Sequence, residues 1–230
     1  MTNAGSIDAP EFSLTPFTTE TLASRSLPVS DLRYSKTQFK PGTRIEISAE
    51  AVQLTHSITS LVVNGAREFP TPSPTPQMSS SIEPNPKPSG SGTALFIDYG
   101  PLDGIPSESL RGIHEHKFTS PFERPGMQDL TADVDFGCIK DTALSVPGAR
   151  VSGPTPQGDF LLNMGLEFRA QRLIQTGKVT EDKREAIIKE VQRLAGKEKG
   201  QMGAAYNVMA ITSRKTTSKF CQSERYPWRY

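Results

Sequence analysis

Apolar and polar positions alternate with two different periods along this chain, and the changes between them mark out its elements. In "GTRIEISAEAVQLTHSITSLVVNG", Ile45 and Ile47 suggest a short extended entry. Val52, Leu54, Ile58, Leu61 and Val62 then recur at roughly helical spacing. Ser48 stands where an N-cap belongs, and Asn64-Gly65 supplies the stop. Further on, Ala94 to Ile97 is an unbroken apolar run that ends in Asp98, Tyr99 and Gly100. That pattern predicts a strand buried on both faces, with polar groups where it emerges. Helix, connection and buried strand make half of a doubly wound α/β unit, with one parallel central strand ending at Asp98. In such sheets ligands collect at the carboxyl ends of strands.

The rest of the chain reads less regularly. "SLRGIHEHKFTSPFERPGMQ" is loop-rich, punctuated by Pro121, Pro125 and Gly126. In "DLTADVDF", Leu130, Ala132, Val134 and Phe136 alternate with polar residues as in a strand, and Asp135 is also suited to N-cap a short helix through Ile139 and Leu144. Pro147 and Gly148 end that helix. "QGDFLLNMGLEFRAQRLIQTG" predicts two helical pieces, closed by Gly165 and Gly177. "TEDKREAIIKEVQRLAGK" predicts a longer helix capped by Thr180, with Ile187, Val191 and Leu194 as its buried stripe and Gly196 as its end. "AYNVMAITSR" predicts a last strand through Val208 and Ile211.

Three stretches carry no sustained period, which divides the chain. Residues 1–40 are expected to be poorly ordered, 41–214 hold the folded part, and 215–230 form a basic and then aromatic tail. Within the folded part, the Pro/Ser-rich residues 69–92 are expected to be a disordered insertion, since they offer nothing to bury. Nineteen prolines, eighteen glycines and an apolar fraction of 35% agree with a real core joined to much irregular length.

The formal charge is +1, so the chain as a whole gives no reason to expect a nucleic-acid partner. Its distribution is uneven: residues 167–230 carry 14 Lys/Arg against 7 Asp/Glu, and the earlier part is acidic by a similar margin. Cys138 and Cys221 stand far apart without CxxC spacing, which excludes a cysteine zinc knuckle and gives no disulfide framework. No apolar run has the length to cross a membrane. The first 26 residues lack the features of a secretory signal, and Asp8, Glu11 and Glu20 against Arg25 make a poor mitochondrial presequence.

Candidate chemistry centres on the acids of "PGMQDLTADVDF", where Asp129, Asp133 and Asp135 fall within seven residues. Carboxylates that dense repel one another, so a metal, a proton or a guanidinium is the natural partner, unless they cap a helix and face water. His114 and His116, two apart, would share one side of a strand as some metal sites require, but a ligand set would have to borrow aspartates. Residue types therefore favour no metal. "SGSG" at 89–92 precedes its strand, whereas a nucleotide loop follows a strand and opens a helix. No G-x-S-x-G elbow is present. Cys138 reads as a buried structural cysteine.

Taken in order, "RIEISAEA", "GTALFIDYG", "LRGIHEHKF", "PGMQDLTADVDF", "QGDFLLNMGLEFR" and "AYNVMAIT" resemble the MidA-like family of S-adenosylmethionine-dependent methyltransferases. The resemblance spans roughly Lys40 to Arg214. It implies an incomplete Rossmann-like, doubly wound methyltransferase domain with helical additions, matching the C-terminal part of the family. Asp98, Tyr99 and Gly100 match the family's D-Y-G, and Arg111 and His116 its arginine and histidine. Pro125, Gly126, Asp129, Leu130, Thr131, Asp133, Asp135 and Phe136 match its signature loop, and Gln157 its glutamine. The family's Gly-rich cofactor loop has no counterpart, so the chain is expected to be a truncated or divided methyltransferase that does not bind the cofactor alone.

The implied activity is that of a type II protein-arginine methyltransferase, with S-adenosylmethionine as methyl donor. The implied substrate is a complex I core subunit in the mitochondrial matrix, and a homodimer is compatible with the resemblance. Arginine stays charged near neutral pH, and bidentate carboxylates hold and offset a guanidinium well. On this expectation Asp98, Asp129, Asp133 and Asp135 form an acidic wall, His116 accepts the departing proton, and Tyr99 and Arg111 contact substrate. The competing readings are a non-catalytic interaction module or half-enzyme and, last, a metal-dependent hydrolase using His114, His116 and the aspartates.

Overall fold

A computed structural model describes residues 13–15, 18–22, 24–26, 32–65, 90, 92–175 and 179–214. The expected insertion (apart from Gly90 and Gly92), Gly177, Cys221 and the 215–230 tail lie outside them. The chain divides into two units: residues 48–105 with 134–230, and residues 1–47 with 106–133.

In the larger unit, the Ser48 side chain accepts a hydrogen bond from the Ala51 N–H at 3.1 Å and opens helix α2, Ala49–Asn64. Gly65 ends it with φ 82°, a conformation glycine adopts without a Cβ penalty. The buried stripe of α2 is Thr55, Thr59, Val62 and Val63, while Leu54 is 60% exposed. The spacing located the helix, but two hydroxyl side chains take the inner face in place of Leu54 and Leu61. Thr59 manages this by donating its hydroxyl to the Thr55 carbonyl at 2.7 Å.

Strands β1 (Thr93–Tyr99), β5 (Ala149–Pro156) and β6 (Tyr206–Ser213) form one sheet in the order β1-β6-β5, all pairs antiparallel. Helix α3, Phe136–Ser145, places Phe136, Ile139 and Ala143 at helical spacing against Met209 and Ile211 of β6 and Val62 of α2. This is the main apolar core. Successive side chains of a strand face opposite ways, and Val208 is as deeply buried as Met209, so both faces of β6 are covered. Helices α4 (Gln157–Asn163), α5 (Leu166–Gln175), α6 (Glu181–Ala195) and α7 (Met202–Ala205) complete the unit, with α4 and α7 reaching β5 and β6.

Expectations for β1 and for α6 change here. Among the described strands β6 is the central one, and β1 is an edge paired antiparallel to it. Nor is β1 buried on both faces: Ala94 and Phe96 pack on the core, whereas Leu95 is 50% and Ile97 46% exposed. An unbroken apolar run does not reveal which of its faces has a neighbour. In α6, Thr180 occupies the cap position without a side-chain hydrogen bond. Ile187, Val191 and Leu194 are only half-buried there, and Ala195 is the buried residue.

The smaller unit contains helix α1, Leu32–Lys36, and a sheet of β2 (Arg111–His114), β3 (Lys117–Thr119) and β4 (Asp129–Thr131) in the order β3-β2-β4. The helix departs from the expectation that residues 1–40 lack order, and Tyr34 on it is buried. A single tyrosine anchors too short a turn to give a periodic signal. The strand expected across "DLTADVDF" is confined to Asp129–Thr131, because Asp135 ends the extended run by starting α3.

Candidate functional site

The carboxyl end of β1 is built by backbone contacts between two sequence motifs. The Val134 N–H donates to the Tyr99 carbonyl at 2.8 Å. Gly100, with φ 150°, lies so close to Val134 that a Cβ would run into its carbonyl oxygen. The Asn207 side chain donates to the Gly100 carbonyl. "DYG" and "VDF" are thus packing partners, which brings Asp98, Tyr99 and Asp135 to the same end of the strand.

Their side chains do different things. Asp98 is exposed, and its Oδ1 accepts the Tyr99 N–H at 2.7 Å. The Tyr99 ring stacks on Tyr206, centroids 4.0 Å apart and planes tilted by 36°. Asp135 Oδ1 accepts the Cys138 N–H at 2.9 Å and so caps α3. Cys138 itself is buried in the first turn.

In the smaller unit, Arg111 and Asp133 meet each other, Nη1 to Oδ1 at 2.7 Å, both side chains largely buried. The same guanidinium donates to the Ser109 carbonyl at 2.8 Å and lies 5.3 Å from the Phe118 ring centroid. The Asp133 N–H donates to Ser109 Oγ at 2.8 Å. Ser109 Oγ in turn donates to Glu46, whose carboxylate also accepts the Ser109 N–H at 2.8 Å. Glu46, Ser109, Arg111 and Asp133 form one charge-assisted network.

Asp129 is exposed on β4, opposite Ile113. Gln128 organises the turn before it: its Nε2 donates to the Ser120 and Glu123 carbonyls at 2.8 and 2.6 Å, and its Oε1 accepts the Thr119 hydroxyl at 2.6 Å. His114 and His116 do not share a strand face. His114 ends β2, with Nδ1 3.0 Å from the Met127 carbonyl oxygen. Glu115 and His116 are the two turn residues of the β2–β3 hairpin, both at positive φ (48° and 62°). A two-residue hairpin of this kind turns both central residues left-handed, and nothing in "HEHK" carries the glycine that usually signals it. Among the described residues no group of three or more His, Cys, Asp or Glu is arranged to hold a metal. A depression of about 380 Å³ is lined by Ser13, Pro121, Phe122, Pro125, Gly126, Gln128 and Leu130. It is largely apolar and holds none of the candidate acids.

Gln157 is buried at the start of α4, where its Nε2 donates to the Leu194 carbonyl at 2.9 Å and satisfies the end of α6. Gly158 beside it packs flush against Ala195. Sequence reasoning missed Glu46, Ser109, Gln128 and Tyr206. Glu46 alone had a visible signal, a carboxylate set between Ile45 and Ile47 in an extended entry.

A sheet layered with helices and carrying the exposed Asp98 at the carboxyl end of β1 makes the larger unit a mixed α/β domain. The chain belongs to the family described as "Putative S-adenosyl-L-methionine-dependent methyltransferase", whose model matches residues 5–155. The methyl donor of this family is therefore S-adenosyl-L-methionine. Similar proteins include "Protein arginine methyltransferase NDUFAF7 homolog, mitochondrial" of Caenorhabditis elegans, 34% identical over 118 residues, covering 51% of this chain and 26% of the relative. "Protein arginine methyltransferase NDUFAF7, mitochondrial" of Homo sapiens is 33% identical over 118 residues, covering 51% and 25%. The matched part thus spans about a quarter of the length of these curated relatives. A crystal structure of an uncharacterized protein from Burkholderia thailandensis matches with TM-score 0.51 and 22% identity, over 75% of this chain and 41% of that one. That likeness supports the Rossmann-like methyltransferase fold.

Proposed function

We propose that the chain forms part of a protein-arginine N-methyltransferase that uses S-adenosyl-L-methionine, acting in mitochondria. The observation that carries this reading is the family match over residues 5–155, and the names of the two relatives point to arginine as acceptor and to mitochondria. Symmetric dimethylation of a complex I core subunit in the matrix is the finer form of the proposal and rests on the family resemblance alone.

The donor, when bound, supplies a methyl group on a positively charged sulfur. Among the described residues no glycine-rich turn leads from a strand into a helix: α4 follows β5 directly, and Gly158 is taken up by packing. These residues do not by themselves make the donor's cradle. What they offer is an answer to the acceptor's charge. The exposed carboxylates of Asp98 and of Asp129 are each, taken singly, suited to hold and offset a guanidinium. Asp133 already balances Arg111, so its part is to position that arginine, with Tyr99 and Arg111 as substrate contacts. Asp135 holds the start of α3, and His116, exposed at a hairpin tip, remains the proposed proton acceptor.

Calorimetry on this chain with S-adenosyl-L-methionine is expected to show no specific binding, and micromolar affinity would contradict the incomplete-site reading. Methyl transfer to an arginine substrate, measured in cells carrying the chain, should fall at least tenfold in Asp98→Asn with the protein level unchanged. Undiminished transfer would remove Asp98 from the site.

A further inference from the structure

The three-stranded sheet of the smaller unit has two unlike faces. Residues directly opposed in an antiparallel pair share a face, and successive residues of a strand alternate. Leu130, Gly112 and Thr119 are opposed in turn and lie on one face, as do His114 and Lys117. There the Gln128 amide occupies the space that a Cβ at Gly112 would take, and its Oε1 accepts the Thr119 hydroxyl at 2.6 Å. Asp129, Ile113 and Phe118 are opposed in turn on the other face. Arg111, two residues before Ile113, shares that face, and its guanidinium lies 5.3 Å from the Phe118 ring centroid.

The second face carries a ring and a charge that the fold leaves in water. Phe118 is 69% exposed. A lone exposed phenylalanine is ordinary. This one stands across the half-buried Ile113 from an exposed carboxylate, Asp129. Arg111 is already balanced by Asp133 at 2.7 Å, and among the described residues no Lys, Arg or His pairs with Asp129. Asp129 is therefore the unbalanced charge of this face. Phe118 and Asp129 are two strand spacings apart, roughly 10 Å. That span suits a guanidinium, which stacks within about 6 Å of a ring centroid and reaches a carboxylate at about 2.8 Å. The ring already receives one guanidinium in this way, that of Arg111.

We infer that this face seats an arginine side chain of the protein substrate. Phe118 stacks on the guanidinium plane, Ile113 floors the seat under the methylene stem, and Asp129 meets the charge. A lysine ammonium is a compact, strongly hydrated point charge and gains less from such a wall. The inference deepens the proposed function and rests on it only in assigning the arginine to a substrate. The seat is a binding site: it makes no bond and needs no methyl donor.

The full chain, isotopically labelled, is titrated at low ionic strength with a short glycine-rich peptide holding one central arginine, and amide resonances are followed. Millimolar binding is expected, with shifts centred on β3 and β4. The same peptide with lysine should bind at least threefold more weakly, and with uncharged citrulline not measurably. Phe118→Ala and Asp129→Asn should each weaken binding at least fivefold, with melting temperatures within a few degrees because both side chains lie largely in water. Phe118→Tyr should keep the affinity, and so should Leu130→Ala on the opposite face. Absence of binding, equal binding of citrulline, or affinity that survives Phe118→Ala and Asp129→Asn together would each overturn the seat. Methyl transfer in cells should fall at least fivefold in the same two variants. Unchanged transfer beside lost peptide binding would overturn the assignment to substrate. A chain that binds the peptide as expected but supports no transfer in any form would count against the enzyme reading and leave the seat standing.

Discussion

The larger unit is held by apolar burial and the smaller one by charge. In the larger, Phe136, Ile139, Met209 and Ile211 exclude water from a continuous core. In the smaller, Phe118, Met127 and Leu130 lie largely in solvent, and the ordering contacts are Glu46, Ser109, Arg111 and Asp133. The difference teaches how to read the signature residues. Where a core exists, motif residues such as Gly100 and Val134 serve packing, and Asp135 serves as a cap. Where little core exists, motif charges such as Arg111 and Asp133 are themselves the scaffold. A charged residue in a motif is therefore no guide to chemistry until its partners are known.

The comparison breaks most visibly at Phe136. Truncation to alanine leaves a cavity in the densest part of the core and should lower the stability of the larger unit by about 3–5 kcal/mol, read by thermal or urea unfolding. A loss below 1 kcal/mol would mean that the core is not what holds this unit. Gly100→Ala should follow. Its Cβ meets the Val134 backbone, which cannot swing aside, at a φ of 150° that disfavours side chains. A cost of about 1–3 kcal/mol is expected by the measure of overpacking. In the smaller unit, Asp133→Asn keeps the shape but removes the charge opposite Arg111. Hydrogen bonds to charged groups contribute about 1.5–3 kcal/mol, and the exposed parts of both side chains place the effect at the lower end. Amide exchange should quicken in β2 and β4 and stay unchanged at Met209 and Ile211. Uniform quickening would show that the network stabilises far more than its own sheet.

How much of this was legible follows the same division. Ser48 and Asp135 announced the starts of α2 and α3, because capping is a local exchange between one side chain and a backbone N–H two or three residues on. The strand through Val208 and Ile211 was legible because β6 is covered on both faces. Leu95 and Ile97 belong to the same kind of run in β1, yet their exposure was invisible: it depends on what lies beside the strand. The His114–Lys117 turn was hidden because left-handed Glu115 and His116 carry no glycine signal. The Arg111–Asp133 pair was hidden because 22 residues separate partners that only folding brings together. The family resemblance singled out both residues, but whether they face a substrate or each other is a matter of geometry.

The smallest effect separates the two roles open to Asp135. As an N-cap, its carboxylate satisfies the Cys138 N–H, and Asp135→Ala should cost about 1 kcal/mol. Serine caps about as well as aspartate but carries no charge, so Asp135→Ser should restore nearly all of that loss. If capping is the whole of its role, Asp135→Ser also restores methyl transfer in cells to the level of the unaltered chain. If the carboxylate meets a guanidinium as well, the serine variant regains its melting temperature and stays deficient in transfer. Stability that remains low in Asp135→Ser would refute the cap itself, and with it the view that motif acids in the larger unit serve the fold before they serve the reaction.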